Sequence, residues 1–171
     1  AAISAFSVAY DRVARRGRDP LPSLGAAALA YVAVALLLGP VRGLPALAVF
    51  LVVVAAIFLA ARAVPPSGIE HARVPAPAWD LPVRIVVATA LVVGLTTVAP
   101  VLGPGWSGLV ATYPVYVSVL TAFPHRHGGP VAAGDVLAGT LAGLYGTAAF
   151  YLVVIAGAVP AGPLAAFAGA L

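Results

Sequence analysis

The sequence predicts an all-α protein: a polytopic transmembrane helical bundle with five complete spans and a further partial span at the N-terminus. Hydrophobic residues make up 63% of the 171 positions and charged residues only 8%, and the mean hydropathy is +1.09. A soluble domain carries about 25% charged residues. Because a chain this apolar cannot cover itself with polar surface, we expect the lipid bilayer to be its solvent. The few charged residues fall between apolar stretches, which separates spans from loops.

The apolar stretches follow one another through a single integral membrane domain, 1–171. Residues 1–10 reach only about 15 Å as a helix, half of the ~30 Å hydrocarbon core. We expect them to end a span whose start lies before Ala1, with an interfacial helix as the alternative. Glycine and proline punctuate the five full-length spans, which are expected at 22–39, 44–61, 84–102, 106–123 and 131–158.

The distribution of arginine predicts the orientation of these spans. Eight of the nine arginines fall on one side once the spans are threaded, namely Arg12, Arg15, Arg16, Arg18, Arg62, Arg73, Arg84 and Arg126. Arg42 alone falls on the other side. Basic residues favour cytoplasmic loops, so we expect the proline-rich loop 63–83 and the loop 124–130 to be cytoplasmic, in a bacterial inner membrane. The same rule explains the net charge of +4, and no nucleic-acid partner is expected.

The composition also limits the chemistry. The chain contains no Cys, Met or Lys, which excludes disulfides, thiolate metal sites, cysteine nucleophiles and Schiff bases. His125 and His127 form an HxH pair, but no third ligand is evident, so we expect a basic anchor facing lipid phosphates rather than a metal site. We expect no cofactor and no enzymatic activity.

Polar residues in the fourth predicted span indicate a functional site. Pro114 lies near the middle of 106–123, where it would free a carbonyl one turn earlier. In lipid, a free carbonyl must find a partner or line a cavity. Thr112, Tyr113 and Tyr116 add hydroxyl groups beside Pro114. We expect a polar seam at the midplane, where carriers bind substrate; the alternative is a proline kink satisfied by Ser and Thr side chains, with no ligand.

Asp135 is an acidic residue within the predicted span 131–158. An ionisable group inside an apolar span is a hypothesis for function by default. Here it would carry a coupling proton or pair with Arg84 or Arg126. The alternative is that Asp135 caps a helix starting at Val136, because a carboxylate suits the positive end of a helix dipole.

Three glycines at helical spacing follow Asp135. Gly139, Gly143 and Gly146 would allow the backbone of another helix to approach closely. We expect a packing surface here, either inside the bundle or against a partner.

The second half of the chain also carries a resemblance. Its features are a Gly-Leu pair, an aromatic-Pro pair, a basic glycine-rich loop and a small-residue span, found at Gly108-Leu109, Tyr113-Pro114, Arg126 with Gly128 and Gly129, and 131–158. With these features, 107–150 resembles the small bacterial GlpM-like and related multi-span membrane proteins. The resemblance implies a helical membrane fold with an envelope or transport-like role, and it implies no catalytic residue.

Two functions from different classes fit the sequence. The first is a small inner-membrane transporter or permease-like protein, working through Thr112, Tyr113, Pro114, Tyr116 and Asp135. The second is a structural or assembly subunit of a larger membrane complex, using the glycine surface. An intramembrane enzyme is a third and weaker reading, because Asp135 and the loop histidines alone would serve as acid or base. The expected partners are the lipid bilayer and either a homo-oligomer or a larger membrane complex.

Overall fold

The computed structural model describes residues 1–39, 44–68, 79–102 and 112–161, with the side chains of those ranges except 102 and 156–161. The described residues form five α-helices and no strand, which confirms the predicted all-α fold. The helices are α1 (Ala2–Ala14), α2 (Pro20–Leu38), α3 (Ala46–Ala63), α4 (Asp80–Val98) and α5 (Val115–Ala161). A short 3-10 helix, Ala99–Leu102, follows α4.

Four of the described helices are long and apolar enough to cross a membrane: α2, α3, α4 with its 3-10 extension, and α5. Their most apolar stretches have a mean hydropathy between 1.6 and 2.6. Large aliphatic side chains cover their outer surfaces, among them Leu29, Leu59 and Val86. Exposure of this kind suits lipid, so the structure supports a membrane protein.

The last helix differs from the prediction. The predicted loop at 124–130 is wrong, since the helix continues through Gly128 and is broken at Gly129 alone, where φ is 73° and ψ is −171°. This backbone region is essentially restricted to glycine. Pro130 then occupies the first helical position, where its missing N–H costs nothing. Gly129 therefore divides α5 into a first arm (115–128) and a second arm (130–161).

The core lies around α1. Phe6, Tyr10 and Ala14 are fully buried, and they pack with Tyr31 of α2 and Leu137 of the second arm in one hydrophobic cluster. Although α1 has only 13 residues, it contacts α2, α3 and α5. In the described bundle, α1 is thus the central helix, although it is the shortest of the five α-helices.

Most of the charged residues lie at one end of the bundle, near the ends of the helices. α1 and α3 finish, and α2 and α4 begin, at the same end of the bundle, which we call the basic end. The first arm of α5 runs toward this end, because Tyr10 contacts His125 and Asp80 contacts His127. The second arm runs away from it. α4 packs mainly on α5, and Asp80 is its only buried residue among those described.

Candidate functional site

The residues around Pro114 lie just before a helix rather than inside one. Thr112, Tyr113 and Pro114 are not helical, and α5 begins at Val115. For the described part of the predicted span 106–123, the expectation of a proline in the middle of a helix is therefore wrong. Residues 106–111, which include the carbonyl that Pro114 was expected to free, lie outside the described residues. The carbonyl of Pro114 accepts two hydrogen bonds from Ser118, one from its backbone N–H and one from its hydroxyl group, both at 2.9 Å.

This non-helical segment is held at the depth of the middle of α2. The hydroxyl groups of Tyr31 and Thr112 are 2.7 Å apart, and Tyr31 is the twelfth residue of α2. At 1.5 Å per residue it lies about 17 Å along that helix. In a membrane, non-helical backbone at such depth persists only where protein buries it or where it lines a cavity.

Tyr113 joins the three helices at this level. Its ring packs edge-on against Tyr31 and Phe6, with centroid separations of 5.6 and 6.4 Å. Its hydroxyl accepts a hydrogen bond from Ser118 at 3.2 Å. Edge-to-face contacts of this kind add stability beyond area burial, so Tyr113 has a fixed position between α1, α2 and the first arm.

A second hydrogen bond connects α1 to the first arm closer to the basic end. The hydroxyl of Tyr10 lies 3.0 Å from Nδ1 of His125, and both residues are buried. The sequence predicts that His125 belongs to a basic anchor in the loop 124–130, facing lipid phosphates. This prediction is wrong, because His125 lies inside a helix and is buried against the core. Nothing in the local sequence points to Tyr10, which is 115 positions away.

The polar residues of the first arm lie on one face. Ser118, Thr121 and His125 are separated by three and four positions, the spacing that aligns side chains on a helix, and all three are buried. Thr121 Oγ1 and, on α1, Ser4 Oγ are buried with no hydrogen-bond partner among the described residues. We define the polar seam as Ser4, Tyr10, Tyr31, Thr112, Tyr113, Ser118, Thr121 and His125. Thr112 is exposed and Tyr113 half-buried, whereas the other six residues are buried.

A cavity adjoins the midplane end of the seam. It has a volume of about 410 Å³ and its lining includes Tyr31, Thr112 and Tyr151. The remaining wall is almost wholly apolar. This size falls within the range of small-molecule sites, which are apolar with a few placed polar groups.

Asp135 does not cap a helix starting at Val136, because the second arm is already helical before it. Its two carboxylate oxygens accept the backbone N–H of Ser67 at 2.6 Å and the hydroxyl of Ser67 at 2.7 Å. Asp135 thus joins the segment after α3 to the second arm. Its predicted role as a coupling residue stays a prediction.

Arg15 and Asp11 lie beside this junction. Arg15 Nε donates to Asp11 Oδ2 at 2.7 Å, and this hydrogen bond raises the pKa of Arg15 above its ordinary value. A Cβ on Gly134 would lie 3.1 Å from Asp11 Oδ1. The glycine therefore allows the end of α1 to approach the second arm closely.

A third polar contact fixes the start of α4. Asp80 is buried, pairs with Arg84 at 2.7 Å, and lies 3.3 Å from His127 Nε2, although Asp80 Oδ1 receives no hydrogen bond. Arg84 also lies over the ring of Phe123, 5.1 Å from its centroid. In the described part of the chain, no three histidine or acidic residues come close enough to hold a metal.

The remaining predicted residues lie away from the seam. Tyr116 is 74% exposed and faces outward. Gly139, Gly143 and Gly146 are also exposed, and a Cβ on any of them would meet no atom within 4 Å. No helix of the described bundle packs closely on this surface.

The chain matches no protein-family model, no curated protein and no solved structure. The resemblance to GlpM-like proteins accordingly stays a prediction.

Proposed function

We propose that this protein is a small transporter or permease-like protein of the bacterial inner membrane, with the polar seam as its pathway. The observation that carries the proposal is the non-helical segment 112–114, whose Thr112 hydroxyl is hydrogen-bonded to Tyr31 near the middle of α2. Helices interrupted near the midplane are a recurring feature of carrier binding sites. The adjoining cavity supplies space for a small solute.

The orientation and the span count belong to the same proposal. We place the basic end in the cytoplasm, because Arg12, Arg16, Arg62 and Arg126 are exposed there and the positive-inside rule favours that side. Five complete crossings are then α2, α3, α4, the first arm of α5 together with 112–114, and the second arm. In this arrangement Thr112 lies within the membrane and His125 near its cytoplasmic side.

A flux screen of purified protein tests the proposal. Proteoliposomes are incubated with a mixture of amino acids, sugars, organic acids and organic cations, and the retained solutes are measured by mass spectrometry. We expect one solute class to accumulate above empty vesicles, and Thr112→Val to reduce that uptake at least tenfold. Thr97→Val is the matched control, because Thr97 is exposed on α4 and donates to the Val93 carbonyl. Uptake equal to empty vesicles for every class would contradict a carrier.

The open glycine surface favours a second candidate function. Gly139, Gly143 and Gly146 let another helix approach, and the described residues place none there. A subunit of a larger membrane complex would bind its partner on this surface. Native mass spectrometry of gently extracted protein should then show foreign subunits that Gly143→Leu removes and Gly25→Leu, at an exposed glycine of α2, does not. A foreign subunit that stays bound to Gly143→Leu would exclude this surface.

A further inference from the structure

His125 has the surroundings of a proton-binding group. It is 6% exposed, and Nδ1 lies within hydrogen-bond distance of the Tyr10 hydroxyl. A neutral imidazole accepts at one nitrogen and donates from the other, whereas the protonated ring donates from both. The Tyr10 oxygen is able to take either role, since a phenol both donates and accepts. The pair therefore accommodates both charge states without moving a helix.

Two hydroxyl groups of the seam are buried without a hydrogen-bond partner in the described part of the chain. Thr121 lies one turn before His125 on the same face, and its Oγ1 has no partner in the described structure. Ser4 Oγ, on α1, is also buried without a partner among the described residues. Because buried polar atoms are satisfied by protein or by ordered water, each of these oxygens calls for a water molecule or a ligand.

Among the described residues, the charged groups around His125 come from three elements, α2, α4 and the first arm. Asp19, at the start of α2, is the acidic group that acts electrostatically on His125. Tyr10 contacts the ring from α1. On the first arm itself, Arg126 is exposed, and His127 lies against Asp80 of α4. Burial disfavours a proton on His125 and is the larger effect, and the acidic Asp19 partly offsets it.

We propose that His125 binds and releases a proton, with Tyr10 as its hydrogen-bond partner, and that this proton is the coupling ion of transport through the seam. The coupling part rests on the proposed function, whereas proton binding does not. In the step, an O–H bond of a hydronium ion breaks, an N–H bond forms at Nδ1, and a neutral water molecule is left. The Tyr10 hydroxyl, which donated to the neutral ring, turns so that its oxygen accepts from the new N–H.

The test is a direct titration of the histidine rings. The protein is labelled with ¹⁵N-histidine, placed in lipid nanodiscs and followed by NMR from pH 4 to 9, and the His125→Gln variant assigns the signal among the three histidines. We expect His125 to titrate in this range. Tyr10→Phe should weaken proton binding about tenfold, a shift of one pH unit, because the hydrogen bond lost by the charged ring is stronger than the one lost by the neutral ring. Tyr116→Phe is the matched control and should leave the midpoint unchanged.

The other outcomes are decisive. A His125 signal that stays constant over the whole range would overturn proton binding at this pair. So would a midpoint that Tyr10→Phe shifts by less than about 0.2 pH units. If Tyr10→Phe does not fold, Thr121→Val replaces it and should also weaken proton binding, since it removes a hydroxyl that water would use. A titrating His125 without any solute flux would leave the proton site standing and reject the transport proposal alone.

Discussion

The carboxylate of Asp135 accepts two hydrogen bonds from one residue, the backbone N–H and the hydroxyl of Ser67, at 2.6 and 2.7 Å. The two residues are 68 positions apart. The contact holds the chain after α3 against the second arm of α5 close to Gly129, where α5 breaks. A polar contact that joins two helices in this way has a measurable effect on stability.

Replacing Asp135 by Asn should lower the free energy of unfolding by about 1 kcal/mol. Hydrogen bonds to charged groups contribute roughly 1.5–3 kcal/mol when buried, but Ser67 is exposed, so solvent reduces the effect. Thermal unfolding in detergent measures the change. Asp19→Asn is the control, because the Asp19 side chain makes no capping bond. Equal melting temperatures for Asp135→Asn and the unmodified protein would show that the contact contributes nothing.

Gly129→Ala should destabilise the protein through its backbone. The combination of φ 73° and ψ −171° costs roughly 1–3 kcal/mol for a residue with a side chain. Gly139→Ala is the matched control in the same helix: its Cβ meets no atom within 4 Å, and alanine is the better helix former by about 1 kcal/mol. Unfolding in a denaturant series should therefore move the two variants in opposite directions. A Gly129→Ala protein as stable as the parent would contradict the observed break.

The hydrogen bond between Tyr31 and Thr112 should make the effects of mutating these two residues on the free energy of unfolding non-additive. In a double-mutant cycle with Tyr31→Phe and Thr112→Val, we expect an interaction of about 0.5–1.5 kcal/mol, since each single variant already removes the bond. Stability of all four proteins is measured under the same lipid conditions. Strict additivity of the two single changes would mean that the segment before α5 is not held to α2.

Asp80→Asn should loosen α4 selectively. Among the described residues of α4, Asp80 is the only buried one, and its ion pair with Arg84 lies at the end that contacts α5. Removing the charge takes the carboxylate away from His127 of α5 as well as from the partly exposed Arg84, so α4 loses a polar contact with α5. Hydrogen exchange measured by mass spectrometry should rise several-fold in α4 and stay unchanged in α2. A uniform rise across both helices would argue against α4 as a separately attached element.

The helices were predictable from the sequence because apolar length and charged breaks are local signals. The predicted spans 22–39 and 44–61 correspond closely to α2 and α3. The start of α5 was not predicted, because a proline inside an apolar stretch is compatible with either a kink or a helix start. In the structure the helix starts directly after Pro114, and the Pro114 carbonyl accepts the backbone N–H of Ser118.

The errors around His125 have a similar cause. Pro124, Gly128, Gly129 and Pro130 are loop-forming residues, so the sequence favoured a loop. In the structure the first arm stays helical through Pro124, since packing against α1 outweighs local preference. The partner of His125 is distant in the chain, and no spacing rule connects a buried tyrosine in α1 to a histidine in α5. Seam residues from different helices are found only once the fold is known.

Aqueous access to the seam is the most direct test of the account. The chain contains no cysteine, so Ser118→Cys and Thr121→Cys each introduce the single thiol of the protein, and no other residue reacts with a thiol reagent. A small, charged, water-soluble thiol reagent modifies only cysteines that water reaches. We predict modification of both variants in sealed proteoliposomes, and none of Val119→Cys, which lies buried on the same arm. If Ser118→Cys and Thr121→Cys are as unreactive as Val119→Cys, the seam is a dry packing surface and not a pathway.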